Sequence, residues 1–435
     1  MRPSRFVPFL PLILAVQACS SQPEPAPGAG NAGTPATAPG GSGNSTAAGT
    51  SGASQDSSAG ATNASGSAAG GNLTGGNAGA AQGGATAGSA GNGNSSGASA
   101  GSGSGGAAGS YPTLLSLLDR FTAPDVPVRG PNEDAPDPIN FNGEVPDRVG
   151  DGIAQHPMFY VGENYNRILL VNRGKVIWTY DTQGSWELDD VWLLSNGNVL
   201  YSHQTYIEEL TPTKQVVWHR DMPGNSEVHT CQPLGLDRVM FGMNQDPNPK
   251  IMIVNTKTGA VELEQAMPDG GGLPVHGQLR RMRVTAAGTY VIAWLAKGKV
   301  VEYDKDFKPI WTYSTPRPWS VARLHNGNTL LQDENESACK EVDAQGKLVW
   351  SLKKSELTIA GANLDGNTQS CERLANGNTV MLIHNPSPGH IQAVEVTRDK
   401  QVVWALEDYA HLKDATSAQF LDQPGASDIP GSTEH

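Results

Sequence analysis

The sequence predicts an all-β protein: a six-bladed β-propeller of four-stranded antiparallel blades, its ring closed by the C-terminal strand. Three observations predict it. A unit of ~40–50 residues recurs along the second half of the chain, turn residues cut each copy into short strands, and the first copy lacks a strand that the chain supplies only at its end. The clearest copies run Leu193–Trp218, Arg323–Trp350 and Arg373–Trp404, with weaker ones at Pro233–Leu263 and Arg283–Trp311.

Each copy reads as a meander. Asn-Gly-Asn (196–198, 326–328, 376–378) supplies the positive-φ positions of a tight turn between a first and a second strand. Asn198–His203 and Asn328–Asp333 are second strands, Tyr206–Leu210 and Ala338–Asp343 third strands, and a Gly-, Lys- or Asp-bearing turn leads to a fourth strand ending in tryptophan. A blade apolar on both faces needs neighbours to bury them. The recurring Trp178, Trp218, Trp311, Trp350 and Trp404 therefore read as blade packing and not as a cofactor box.

The first unit, His156–Tyr180, has three strands, and Ala415–Gly425 is a strand with nothing after it. Placed innermost in blade 1, that orphan completes six blades and leaves no open sheet edge. An open array or a sandwich would leave it without a place.

Ahead of the ring, Arg2 and Arg5 followed by apolar Phe6–Leu14 read as a secretory signal, residues 1–18. Val16-Gln17-Ala18-Cys19 resembles a bacterial lipobox, which makes Cys19 the expected lipidated residue. Ser20 after it resembles the outer-membrane sorting signal of Gram-negative lipoproteins. The segment from 19 to 110 is rich in Gly, Ala, Ser, Asn and Thr, and beyond residue 21 only Glu24 and Asp56 are charged. Such a segment cannot bury enough apolar surface to fold. It is expected to be a disordered tether with a root-mean-square span of about 50 Å. Residues 111–155 form an extension in which Leu114–Phe121 suggests a short amphipathic helix; 156–425 is the propeller and 426–435 a disordered tail.

The net charge of −13, with no basic stripe carrying interleaved aromatics, argues against nucleic acid as partner. Beyond Cys19 the chain holds three cysteines, an odd number that excludes a fully paired framework. Cys231 and Cys371 fall at matching inner-strand positions of blades 3 and 6, so they are expected to be separate packed thiols. No Cys-x-x-Cys, His-Glu-x-x-His, Gly-x-Ser-x-Gly or phosphate loop is present.

The entrances of the inner strands line the axial funnel. Aligned on the turns, they gather Glu187, Asp189, His229, His276, Gln278, Arg280, Arg281, Trp319, Asn367 and Gln369. Both charge signs, two imidazoles, amides and an aromatic on one site make it the candidate binding or active site. His229 and His276 are the candidate catalytic residues and the others candidate ligand-binding residues. The spacing of the two histidines matches no metal-ligand pattern, so no metal is expected.

The Asn-Gly-Asn turn followed by Val342-Asp343-Ala344-Gln345-Gly346-Lys347-Leu348-Val349-Trp350 resembles the PQQ-like β-propeller repeat, over roughly residues 155–425. Within that group the chain is similar to arylsulfotransferase-like propellers. The resemblance implies a funnel histidine that carries a sulfuryl group, here His229 or His276, with Arg280 neutralising the sulfate oxygens. Blade 2 departs from the usual His-Asp start, reading Asp189-Asp190. PQQ itself is not implied, because the adjacent cysteine pair and extra blades of quinoprotein dehydrogenases are missing.

The resulting expectation is a tethered envelope protein, held to the membrane by its lipid alone, whose funnel binds a small polar or anionic ligand such as a glycan, sugar acid or sulfate ester. The alternatives are a histidine-dependent enzyme in the same funnel and a protein-interaction scaffold that uses the rim.

Overall fold

A computed structural model describes residues 114–128, 130, 147–148, 156–163, 166–182, 187–359, 364–384 and 390–435. The expected signal peptide, Cys19, the tether and most of the N-terminal extension lie outside the described residues. Six antiparallel sheets follow one another as the blades of a propeller. From the axis outward, blade 2 runs Leu188–Leu193, Val199–His203, Tyr206–Leu210 and Val216–Asp221. The inner strands of blades 3 to 6 are Glu227–Pro233, Leu279–Val284, Pro318–Arg323 and Asn367–Arg373.

Blade 1 closes as its missing strand predicts. Ser417–Phe420 lies innermost and pairs antiparallel with Met158–Val161, Phe420 facing Met158 and Ser417 facing Val161. Blade 6 carries an addition that the repeats do not announce. Asp147 and Arg148 of the extension pair with Leu406 and Ala405 and make its sheet five-stranded.

The turns show why their sequence recurs. Gly197, Gly327 and Gly377 take φ of +88°, +87° and +89°, where a side chain would be strained. The flanking asparagines stay out of that region and act as ligands: Asn198 N donates to Asn196 Oδ1 at 2.9 Å, an Asx turn. The second asparagine orients a glutamate of its own blade, and an arginine of the next blade bonds that glutamate. Asn328 Nδ2 donates to Glu341 Oε1 at 2.7 Å, Arg373 of blade 6 donates to Glu341 Oε2 at 2.9 Å, and the Arg373 guanidinium lies 5.0 Å from the Trp350 ring centre. Arg323 and Trp311 repeat the contact one blade earlier.

At the closing seam a histidine replaces the arginine. His156 bonds Glu395 and Asp422, each at 2.8 Å, and sets its ring edge against Trp404. Burial presses the imidazolium to lose its proton, but Asp422 and Glu395 outweigh burial and raise the pKa to about 9.

Two expectations need correction. Cys371 is not a free thiol: it forms a disulfide with Cys339, across 5.9 Å between Cα atoms, joining the third strand of blade 5 to the inner strand of blade 6. Cys231 alone of these three is free, and it is buried. Matching inner strands only with one another hid this pair, because a neighbouring blade's third strand also packs against them. The second correction concerns the tail. Residues 426–435 pack beneath the ring: Ser195 donates to Asp428 through N at 3.2 Å and Oγ at 3.0 Å, and Gln419 donates to Ser427 Oγ at 2.6 Å.

Leu114–Phe121 forms a 3-10 helix with Leu114, Leu117, Leu118 and Phe121 buried. The buried positions follow i, i+3, i+4, i+7, the spacing that puts one apolar face on a helix. Phe121 packs edge-on against Phe159 and Trp178, so the segment wedges under blades 1 and 2.

Candidate functional site

One repeated irregularity builds the channel wall. In blades 2 to 6 the inner strand fits one residue more than its partner between matched pairs. Leu188 and Asp190 face the adjacent His203 and Ser202, as Thr368 and Ser370 face Ile383 and Leu382. Val228 and Cys231 face Met243 and Phe241, Leu279 and Met282 face Trp294 and Ile292, and Pro318 and Val321 face Asp333 and Leu331. A bulge breaks the two-residue alternation and lets successive side chains serve one face. Thus Asp189 reaches His229 while Asp190 reaches Arg283, and Arg280 reaches Glu187 while Arg281 reaches Ser417. The bulged residues include Asp189, His229, Arg280, Arg281, Trp319 and Gln369, six of the ten residues named from the sequence.

At the upper end, Glu187, Asp189, Glu227, His229, His276 and Arg280 form one cluster. His229 is buried and Nδ1 donates to Asp189 Oδ2 at 2.7 Å, while Nε2 meets Glu227 Oε2 at 3.0 Å. The proton on Nδ1 is taken by Asp189. Arg280 Nη1, also 2.7 Å from Nδ1, therefore donates to Glu187 Oε1 at 2.7 Å. Burial and Arg280 both oppose a charged His229, yet Glu187 and Asp189 prevail and lift its pKa to about 10. Glu227 accepts from His276 Nδ1 at 3.0 Å, and the His276 side chain is 53 % exposed. Burial would raise the Glu227 carboxyl, but its bonds to both histidines bring it down to about 2.

Arg280 is the most constrained member. Its side chain is 1 % exposed, the guanidinium carbon lies 4.0 Å from the centre of the Trp319 ring, and Nε and Nη2 are buried with no acceptor among the described residues. Across the axis, Gln369 Nε2 donates to Glu163 Oε1 at 3.3 Å, and His384 Nε2 lies 3.4 Å from Glu163 Oε2. Burial, reinforced by Asp189 and Glu187, pushes Glu163 up to about 8. The Gln369 Oε1 and Asp189 Oδ1 atoms are also buried without a partner among the described residues.

Other residues named from the sequence have structural tasks. Arg281 donates to Ser370 and Ser417, each at 2.9 Å, and to Asp189 O at 3.2 Å, so it braces blades 6, 1 and 2. Gln278 is spent on Gln245 N and O and on Leu273 O, fastening two loops to each other. Asn367 is exposed at its strand's first residue. At the lower end Asp190 accepts a two-pronged bond from Arg283, at 2.8 and 2.9 Å, and His435 lies between Glu372 and Trp192.

Sequence reasoning missed Glu227, Glu163 and His384. Glu227 had a signal: it stands two residues before His229 in one strand, so the two share a face. Glu163 stands two residues past the Met158–Val161 strand of blade 1, in an isolated bridge to Glu187, and reaches the site only because the ring closes.

No protein-family model and no curated protein matches the chain. Solved structures do. A protein of unknown function from Bacteroides caccae is 20 % identical over 61 % of this chain and 98 % of its own, with a TM-score of 0.54. Virginiamycin B lyase from Staphylococcus aureus is 10 % identical over 61 % of this chain and 89 % of its own, at TM-score 0.43. BamB from Moraxella catarrhalis is 13 % identical over 55 % and 66 %, at TM-score 0.33. The likeness to the first speaks to fold alone.

Proposed function

We propose that the upper channel binds a small polar ligand through an anionic or carbonyl oxygen. The observation that carries this is Arg280: a guanidinium with two buried donors, Nε and Nη2, lacking acceptors while Glu187 and Trp319 fix its plane. Buried donors without acceptors cost free energy, and an arriving oxygen pair would relieve it. Gln369 Oε1 offers an acceptor for a ligand hydroxyl nearby. Sugar acids and sulfate esters combine such groups. A thermal-shift screen of the purified chain against sugars, uronates, aryl sulfates and PQQ tests the reading. Arg280→Lys should weaken an anionic hit by roughly 1.5–3 kcal/mol, because lysine keeps the charge but not the planar fork. No hit in the wild type, or equal affinity in the variant, overturns it.

His276 favours a second reading, an arylsulfotransferase-like transfer. With Nδ1 held by Glu227, Nε2 of a half-exposed imidazole is left to attack the sulfur of an aryl sulfate as the phenolate departs. His229, engaged on both nitrogens, suits this role less well. The test is turnover of 4-nitrophenyl sulfate with a phenol present to take the sulfuryl group from the imidazole, which His276→Ala should abolish while binding persists.

For location, we propose a lipid anchor at Cys19 in a bacterial outer membrane. Cys19→Ala should move the protein from the membrane to the soluble fraction, since a single change removes both acylation and retention. Equal labelling of wild type and variant by a fatty-acid analogue would contradict it.

A further inference from the structure

The geometry points to a divalent transition-metal site of the zinc class in the upper cluster, with Glu187, Glu227, His229 and His276 as ligands. The donor set is two imidazoles and two carboxylates, the mixture that zinc takes, whereas calcium and magnesium call for oxygen alone. Glu187, His229 and His276 each bring a ligand atom within 4.8 Å of the others. Glu227 Oε2 stands 3.0 Å from His229 Nε2 and 3.0 Å from His276 Nδ1, and His276 Nδ1 is 3.7 Å from Glu187 Oε2. Ligands at about 2.0–2.1 Å around a tetrahedral ion stand about 3.3 Å apart, and each of these three separations lies within a few tenths of an ångström of that.

The surroundings supply the outer support that such sites need. Asp189 accepts the other ring proton of His229 at 2.7 Å, which fixes the tautomer with Nε2 toward the ion, and Arg280 holds Glu187 at 2.7 Å. Independently of these bonds, Arg280 keeps two buried donors, Nε and Nη2, without acceptors among the described residues. No sequence spacing announces the site, because its ligands come from blade 2, blade 3 and the turn before blade 4.

This inference stands apart from the ligand reading, since zinc can be titrated with no organic molecule present. It excludes the nucleophile reading, since His276 cannot give Nδ1 both to the ion and to a proton held by Glu227. The experiment is equilibrium dialysis of the full chain, stripped by a chelator, against zinc chloride, with circular dichroism as a control for folding. One equivalent should bind. His276→Ala, a change on an exposed turn, should weaken binding at least tenfold, and Asp189→Asn should weaken it about 10–100-fold through the outer support alone. A folded wild type that takes up no zinc, or uptake unchanged in both His276→Ala and Glu227→Gln, overturns the site.

Discussion

A chain that stops after Leu412 is expected to lose cooperative folding. The cut removes Ser417–Phe420, the inner strand of blade 1, and strips Met158–Val161 of its partner along the axis. Buried Ala415, Ala418, Phe420 and Leu421 go with it, and His156 loses Asp422 at the seam. Arg281 loses Ser417, one of the contacts that let a buried guanidinium cross between blades. Removing the inner strand bares the Met158–Val161 edge, whose unpaired backbone groups are then open to pairing with other chains. Urea unfolding followed by circular dichroism, with light scattering for aggregation, reads the outcome. An unchanged midpoint and cooperativity in the shortened chain would show that the strand is not the closure.

The second large effect is expected at the lower end of the channel. Asp190 is fully buried and accepts both prongs of Arg283, the Thr230 hydroxyl at 3.0 Å and the Cys231 N–H at 3.2 Å. Burial alone would raise its carboxyl, but Arg283 more than reverses this and holds it well below the usual range. Asp190→Asn keeps the shape and deletes the charge, leaving a buried guanidinium uncompensated. Breaking such a pair from one side costs about 3–5 kcal/mol. Replacing both partners, Asp190→Leu with Arg283→Met, should recover much of the loss, because the desolvation of two charges is then avoided. The unfolding free energies of the wild type and of the two variants form the check. If Asp190→Asn unfolds at the wild-type midpoint, the pair is not a structural tie.

The candidate site was legible in the sequence as a set and illegible in its roles. Aligning the inner-strand entrances brings out His229, Arg280 and Trp319, because every blade presents the same depth to the axis. Arg280 and Arg281 are neighbours of one residue type, and nothing local separates them. The bulge aims both inward, and only the facing blades decide that Arg281 finds Ser370 and Ser417 while two donors of Arg280 find none. Gln278 reads as a funnel amide, yet the Gln245 and Leu273 backbones consume it.

By itself the sequence determined the blade count, the meander in each blade and the strand that closes the ring. These rest on local chemistry: glycine at the left-handed turn position, alternation along short strands, and a tryptophan at a fixed place in the period. The tertiary structure alone decided which residues meet across the axis. It made the Cys339–Cys371 disulfide, laid residues 426–435 under the ring, and joined Glu163 to the cluster. Those partners are 32 to more than 200 residues apart in sequence. No period within a repeat can specify them, because they depend on the bulges and on how the blades are set around the axis.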